Sequence, residues 1–404
     1  MRILQISTHT TLVPRHGGQI RSNRIAANME RAGHTLRRLA VGYRPPDHVD
    51  DEREPHINIS TSSYCTRGRH RRDFGDDWQY FTDYGSMMAV RECAALKEKF
   101  FTAIMKADPD VIMLEHPWLW PVVNEYRTKI GKQIPVIHNS QNVESALKRA
   151  IASERKLHLS TKILTAIEEL ERDCVLNAVA TTACTDEDRD AFLAMGAKWA
   201  VTVANGADQK QRDHLMNMLP PAIPKDASYA LVVGSGHPPN ISGFLNLLGP
   251  YLPRLRAHQR FVVAGGAGDS IYKALRDSGR EIVMEGRFIN LGMVPQLVLE
   301  AVIANASIIA LPIQYGGGSN VKTAEALLSG RRVVATHHSM RGFPELGSMN
   351  NLRIVDEPDF GPKVLEELSK PFSVNYDDLP VHLLWENTTL PLRDVLSQIC
   401  NMVP

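Results

Sequence analysis

Three consecutive glycines, Gly316, Gly317 and Gly318, stand between an apolar run and a helical pattern whose first two turns carry Lys322 and Glu325. Each glycine costs backbone entropy on folding, so three together call for an unusual turn or for a close approach to the backbone. With Ser319 as the N-cap, Asn320, Val321 and Lys322 form the first helical turn. Its unpaired N–H groups, reached past side-chain-free Gly317 and Gly318, suit an anion such as a phosphate. The helix dipole alone disfavours a lysine there, and a phosphate in the gap would reverse that. The plain alternative is a Lys322–Glu325 pair at i, i+3. Glu325 borders the stripe formed by Val321, Ala324 and Leu328, where a carboxylate needs donors: ribose hydroxyls, backbone amides or Lys322 itself.

Two further places have the right residue types. His116 closes the strand-like run "DVIMLEH" and precedes Pro117. A histidine at a carboxyl-end strand tip is a site candidate in a parallel sheet, and otherwise a structural or exposed residue. "HGGQIR" sets His16, Gly17, Gly18 and Arg21 in the first strand-to-helix loop, where two glycines either let an anion approach or simply start a helix.

These loops need elements to hold them. In the first half "RILQIS", "TLRRLAVG", "VIMLEH", "IPVIHNS", "VATTACT" and "AVTVANG" read as strands, separated by amphipathic segments such as "GQIRSNRIAANMERAG" and "STKILTAIEELERDCVLNAV". Polar and proline-containing residues 209–228 interrupt the rhythm and read as an interdomain linker. A second alternation follows with "YALVVGS", "RFVVAGG", "EIVMEG", "ASIIALPI", "RRVVATH" and "NLRIVD". Strands alternating with helices predict an α/β chain of two doubly wound, Rossmann-like parallel-sheet domains facing across a cleft. The domains run over 1–208 and 229–375, and 376–404 is a closing segment in which "LPLRDVLSQICNMV" is helical. Ligands of such sheets bind beyond the carboxyl ends of the strands, which is where the three candidate loops lie.

Composition excludes several classes. The 404 residues exceed what one core usually supports, which favours two domains. Lys plus Arg number 46 against 45 Asp plus Glu, so bulk charge argues against a nucleic-acid binder. The local exception is Arg67, Arg69, Arg71 and Arg72, either a solvated loop or a patch for an anionic acceptor or a membrane surface. Five scattered cysteines without a CxxC fit a reducing compartment and no structural zinc. No signal-peptide pattern and no spanning apolar run is present, so a cytoplasmic location is expected. The pair Asp108 and Asp110 precedes a strand rather than following one, and no obligatory metal is expected.

Common nucleotide fingerprints fail. The first strand is followed by "STHTTLVPRHGGQIR" without G-x-G-x-x-G, "GSGHPPN" meets two prolines, and "VVAGGAGDS" lacks the third-glycine spacing. "GGGSNVK" is too short for a P-loop.

Taken together, these pieces resemble the retaining GT-B glycosyltransferases of the family 4 type (glycosyl transferases group 1), in the Pro-Pro-Asn variant of the donor domain. The resemblance rests on the Gly-Gly loop and "ERAGH", on "NSQNVES" and "VANGAD", on "VVGSGHPPNISG", and above all on "GGGSNVKTAEALLSGRRVVAT". It implies a UDP- or GDP-sugar as donor. Glu325 would hold the ribose, and Gly317, Gly318, Ser319, Asn320 and Val321 the diphosphate together with Lys322. His116 would lie near the reacting sugar, Gly17 and Gly18 would reach over the phosphates, and Asn142 and Glu144 would line the acceptor side. The catalytic set implied is His116, Lys322 and Glu325, with no cofactor and no metal. The acceptor implied is a glycan, glycolipid or small-molecule hydroxyl in polysaccharide biosynthesis, with peripheral membrane contact left open. Three features depart from the family pattern. Gly317 replaces the first acid of the E-x7-E pair, "GSGHPPN" replaces an Arg-x-x-x-x-Lys clamp, and Asn320 stands where arginine is frequent. A sugar-nucleotide epimerase on the same fold, or an inactive nucleotide-sugar-binding subunit, is the alternative.

Overall fold

Strand order explains why these loops matter. The computed structural model describes all residues except 11–13, 15, 44–55, 155–156, 158–160, 209–217 and 403–404. Residues 209–217 of the proposed linker therefore lie outside the described residues. The chain forms two compact units, Met1–Ala204 with Thr388–Pro404, and Asn205–Asn387.

Unit 1 contains β1 (Arg2–Ser7), β2 (Thr35–Gly42), β3 (His56–Ser60), β4 (Val111–Leu114), β5 (Val136–Asn139), β6 (Ala180–Ala183) and β7 (Ala200–Thr202). They make one sheet in the order β3-β2-β1-β4-β5-β6-β7, every pairing parallel. Successive side chains of a strand face opposite sides, and both sides are buried. Leu4, Ile6, Leu39, Ile112 and Leu114 pack with Phe100, Ile104, Trp118 and Trp120 on one face. Ile3, Leu36, Val111, Met113 and Ile137 pack on the other with Ile25 and Met29 of the helix Gly17–Arg31. Leu392, Val395, Leu396 and Ile399 of the helix Leu390–Met402 join that same cluster. At roughly 1.5–3 kcal/mol per buried aliphatic side chain, those four residues make the chain's last helix integral to this core.

Unit 2 contains β8 (Ser228–Val233), β9 (Gln259–Ala264), β10 (Phe288–Gly292), β11 (Ile308–Leu311), β12 (Arg332–Thr336) and β13 (Leu352–Val355). The order is β10-β9-β8-β11-β12-β13, again all parallel. Leu231, Val262, Ile309 and Val333 meet Ala324 and Leu327 on one face, and Val232, Val263 and Ala310 meet Phe244, Ile271 and Val364 on the other.

The predicted α/β class with two parallel sheets is therefore present, with two local corrections. "EIVMEG" is not a strand: Glu281–Met284 is a short helix, and β10 begins only at Phe288. The β-branched pair Ile282–Val283 mimics a strand, but Ile282 is 85% exposed and Gly286 turns the chain at φ +64°. The edge strand β3, "HINIS", is too short and too polar to stand out.

In each sheet the chain begins in the middle, builds outward one way, and then jumps back past its first strand. The reversal falls between β1 and β4 in unit 1 and between β8 and β11 in unit 2. A crevice opens at such a reversal, at the carboxyl ends of the two strands.

Candidate functional sites in the two units

At the unit 2 reversal the loop after β11 runs from Pro312 to Asn320 and enters the helix Val321–Leu327. Gly316 has φ +135° and Gly318 has φ +58°, values that L side chains rarely adopt, so two of the three glycines are required by backbone conformation. Gly318 is buried, whereas Gly316 and Gly317 are exposed. The Arg341 guanidinium donates to the Gly316 carbonyl at 3.2 Å.

Ser319 is not the cap expected of it. Asn205 Nδ2 donates to the Ser319 carbonyl at 2.9 Å and to its hydroxyl at 3.0 Å. Asn320 takes the N-cap position in an extended conformation, without a side-chain cap bond, and Val321 opens the helix. The serine is thus pinned from the side by "VANGAD", which fixes where the glycine loop ends.

The helix itself is anchored from below. Thr323 Oγ1 donates to the Ser339 carbonyl at 2.9 Å, and the Ser339 hydroxyl receives the Ile313 N–H at 3.2 Å. Val321, Thr323, Ala324, Ala326 and Leu327 are buried, which leaves Lys322 and Glu325 half-buried at the rim. Lys322 Nζ donates to Asn240 Oδ1. Burial drives the Lys322 ammonium down to about 8, against the pull of the Glu325 carboxylate. The i, i+3 pairing read from sequence is therefore a through-space attraction, and the hydrogen bond goes to a different element.

That element starts at the other strand of the reversal. After β8, Gly234–His237 leads into the helix Pro238–Leu247, whose third residue is Asn240. The prolines occupy its first turn, where a missing N–H costs nothing. A Cβ on Gly243 would lie 1.7 Å from the Pro312 carbonyl oxygen, so this helix lies directly on the loop that follows β11. A Cβ on Gly265 would lie 2.4 Å from the Gly234 carbonyl oxygen, so the glycine cluster after β9 packs against that after β8.

The unit 1 reversal carries a titratable cluster. His116 follows β4 with its side chain 11% exposed, and its Nδ1 lies 3.2 Å from Glu144 Oε1. Asn142 Nδ2 reaches the same oxygen at 3.3 Å. Burial opposes the His116 imidazolium, but the Glu144 hydrogen bond and charge, with Asp83 and Glu115, outweigh it and raise its pKa above 6.5. The rings of His9 and His116 meet edge to face at 5.4 Å, and those of His9 and His16 at 5.6 Å. Burial, then the two neighbouring imidazoles, lower His9 to about 3, so it stays neutral. Asp83 accepts from Thr8 Oγ1 at 2.6 Å and lies 3.6 Å from Lys148 Nζ. Burial raises the Asp83 carboxyl, but Lys148 and His116 overcome this and hold it below its ordinary value.

Beneath this cluster the sheet face turns polar. Glu115 is fully buried and accepts from Gln5 Nε2 at 2.6 Å, Ser22 Oγ at 2.5 Å and Asn139 Nδ2 at 2.9 Å. Gln141 Nε2 lies within 3.0 Å of Ser22 Oγ and 3.3 Å of the Gly18 carbonyl. A Cβ on Gly18 would lie 2.2 Å from Gln141 Oε1, which gives this glycine a packing role inside the unit. Gly17 is the exposed first residue of its helix.

The structure thus gathers Gly317, Gly318, Ser319, Asn320, Val321, Lys322 and Glu325 in unit 2, and His116, Asn142, Glu144, Gly17 and Gly18 in unit 1. Sequence reasoning missed Asn240 and Asn205, although both lie in quoted motifs. It also missed Asp83, His9 and Lys148, which no motif marks. Asp108 and Asp110 pair with Arg2 at the opposite, amino-terminal end of the strands. Arg69, of the basic cluster, is held by Asp73 and Glu92. Among the described residues no helix is long and apolar enough to cross a membrane.

A family model described as Glycosyl transferases group 1 matches residues 227–368, which take in β8 to β13 and the whole Gly316–Glu325 segment. No curated protein sequence matches the chain. Among solved structures, sucrose-phosphate synthase from Thermosynechococcus elongatus is similar with a TM-score of 0.71 at 12% identity, covering 100% of both chains. Anabaena HepE in complex with UDP and glucose gives 0.64 at 14% identity, over 98% of this chain and 99% of that one. The UDP-forming α,α-trehalose-phosphate synthase of Burkholderia xenovorans, in complex with glucose-6-phosphate, gives 0.65 at 12% identity, over 99% and 100%. At such identities the likeness is one of fold, and it is to GT-B proteins.

Proposed function

We propose that the chain is a retaining glycosyltransferase of the family 4 type that moves a sugar from a UDP- or GDP-sugar to a hydroxyl of a glycan, glycolipid or small molecule. The observation that carries this reading is the Lys322–Asn240 hydrogen bond beside the triglycine loop and Glu325, all within the segment matched by the group 1 family model. Donor binding by UDP gains support from Anabaena HepE, which holds UDP and glucose.

In this reading Glu325 accepts from the ribose hydroxyls, and Lys322 and the amides of residues 318–321 face the diphosphate. As the bond from the anomeric carbon to the phosphate oxygen breaks, its electron pair stays on the diphosphate, and Lys322 stabilises that charge without a metal. The acceptor hydroxyl bonds to the anomeric carbon on the face the diphosphate leaves and gives up its proton to that leaving group. His116, braced by Glu144 and Asn142, would orient sugar hydroxyls on the acceptor side, with Gly17 and Gly18 at the start of the neighbouring helix. The enzyme would act in the cytoplasm, with exposed Arg67 and Arg72 available to an anionic lipid surface. The His116–Glu144 pair beside Asp83 also suits proton transfer, which keeps a sugar-nucleotide epimerase as the second reading.

The test is thermal stabilisation of the full chain by UDP, GDP, ADP and NAD, with and without Mg²⁺. UDP or GDP should shift the transition, equally with and without metal, and Glu325→Ala and Lys322→Ala should abolish the shift. No shift with either nucleotide overturns the donor site. Free nucleotide and an epimerised sugar, formed without any acceptor, would favour the second reading.

A further inference from the structure

Lys322 could have been held by a carboxylate, and Glu325, three positions on along the same helix, exerts its charge on it. It is held instead by a neutral amide from a different loop. Asn240 is 7% exposed and its orientation is fixed by its other contacts. Its Nδ2 donates to the Ser235 carbonyl at 2.9 Å and approaches the Ser235 hydroxyl at 3.4 Å. A carbonyl only accepts and an ammonium only donates, so the amide has one favourable orientation, with Oδ1 on Lys322. Rotating it by half a turn would set N–H against ammonium and oxygen against oxygen.

The backbone around Asn240 is constrained as well. A Cβ on Gly234 would lie 3.0 Å from Asn240 Cβ and Cγ, so the side chain lies on a glycine surface. Gly243, one turn further on, fixes the same helix against the Pro312 carbonyl. Lys322 in turn stands on a helix tied to Ser339 through Thr323. Both partners are therefore placed by elements of the β8/β11 reversal.

We propose that Asn240 is a positioning residue that aims the Lys322 ammonium without itself neutralising it, so that the positive charge is available to the phosphates of a nucleoside diphosphate. This rests on the donor-site reading above. An ammonium has three donors, one of which Asn240 uses. A carboxylate at the same place would hold Lys322 equally well but would neutralise it, and the anion would gain little. The amide also does not counter the burial that pulls Lys322 down to about 8, so the site discharges just above neutral pH.

The experiment uses the full chain and the variants Asn240→Asp and Asn240→Ala. The Lys322 ammonium is titrated by NMR of isotopically methylated lysines, assigned with Lys322→Arg, in the absence of nucleotide. Calorimetry then compares UDP and GDP with uridine and guanosine across pH 6.5 to 9.5. Asn240→Asp should raise the Lys322 pKa by about one unit or more, the usual effect of an adjacent opposite charge. It should weaken the diphosphate about tenfold and leave the nucleoside unchanged. Asn240→Ala should also weaken the diphosphate while leaving the Lys322 pKa low. An unchanged Lys322 pKa in Asn240→Asp overturns the inference whatever the nucleotides do, as does an equal loss for nucleoside and diphosphate. A wild-type protein whose Lys322 titrates near 8 but which ignores both UDP and GDP overturns the donor reading instead.

Discussion

His116 and Glu144 meet at 3.2 Å although 28 positions separate them in the chain. The carboxylate comes from the first residue of the helix Glu144–Glu154, whose N-terminal amides are held by Glu171 at 2.7 and 2.9 Å. The imidazole is thus oriented by a carboxylate that is itself held in place.

The electrostatic consequence is measurable. His116 should titrate above 6.5, and Glu144→Gln should lower that value by about one unit by removing the adjacent negative charge. His9, its edge-to-face neighbour, should remain neutral down to about pH 3. NMR titration of the histidine ring carbons separates the two residues. A His116 that titrates below 6.5, or that ignores Glu144→Gln, would show that the pair does not form in solution.

Gly18→Ala should destabilise unit 1 by about 1 kcal/mol, the low end for disturbing buried hydrogen bonds, because the atom in its way is the end of a side chain that can shift. The added Cβ would displace Gln141 Oε1 from 2.2 Å, and Gln141 also bonds Ser22 in the Glu115 network. Exposed Gly17→Ala is the control and should cost little. Denaturation midpoints check both, and equal midpoints for the two variants would remove the packing role assigned to Gly18.

The glycine positions show how far the sequence could be read. "HGGQIR" and "YGGGSNVK" look alike on the page, and both fall at carboxyl-end loops, as alternating strands and helices predict. Their physical reasons differ. Gly316 and Gly318 have positive φ, a local property that a triplet before a helix announces, whereas Gly18 makes room for a side chain 123 positions away. The positions of candidate residues named by local pattern, such as Lys322, Glu325 and His116, at the carboxyl ends of strands were legible for the same reason. Asn240 reaches Lys322 across 82 positions, and Asp83 reaches Thr8 across 75. Those contacts depend on which strands become neighbours, and periodicity carries no information about neighbours. "EIVMEG" misled in the opposite sense, because β-branched residues imply a strand only where both faces can be covered.

Gly243→Ala tests how the two loops of the β8/β11 reversal are coupled. Its Cβ would lie 1.7 Å from a backbone oxygen, Pro312 O, which cannot rotate away as a side chain could. Overpacking of this kind costs about 1–3 kcal/mol where the protein survives it. Displacing Pro312 moves the start of the glycine loop, so UDP or GDP binding should weaken more than global stability falls. Calorimetry alongside denaturation checks this, and a fully stable variant with unchanged nucleotide affinity would contradict the packing described.

Two buried groups in unit 1 should give opposing pH dependences of stability. His138 on β5 is fully buried, both ring nitrogens lack partners, and burial lowers it from 6.5 to about 3. Between those values the unfolded chain binds the extra proton, so this residue makes stability fall by about 1.4 kcal/mol per unit as pH decreases from 6.5. Glu171 is pushed from 4.5 up to about 7, chiefly by burial, against the pull of the Ser145 and Glu144 donors. Here the folded state binds the extra proton, so stability is present below 4.5 and falls as pH rises towards 7. From about 4.5 to 6.5 the two slopes cancel. Relative to the wild type, His138→Phe should therefore tilt the stability profile through that window towards loss as pH rises, and Glu171→Gln should tilt it towards loss as pH falls. Trp78, Trp118, Trp120 and Trp199 lie in unit 1 and only Trp385 in unit 2, so urea unfolding followed by tryptophan fluorescence reads mainly the relevant unit. Parallel pH profiles for wild type and both variants would mean that neither group is held in the protonation state its burial dictates.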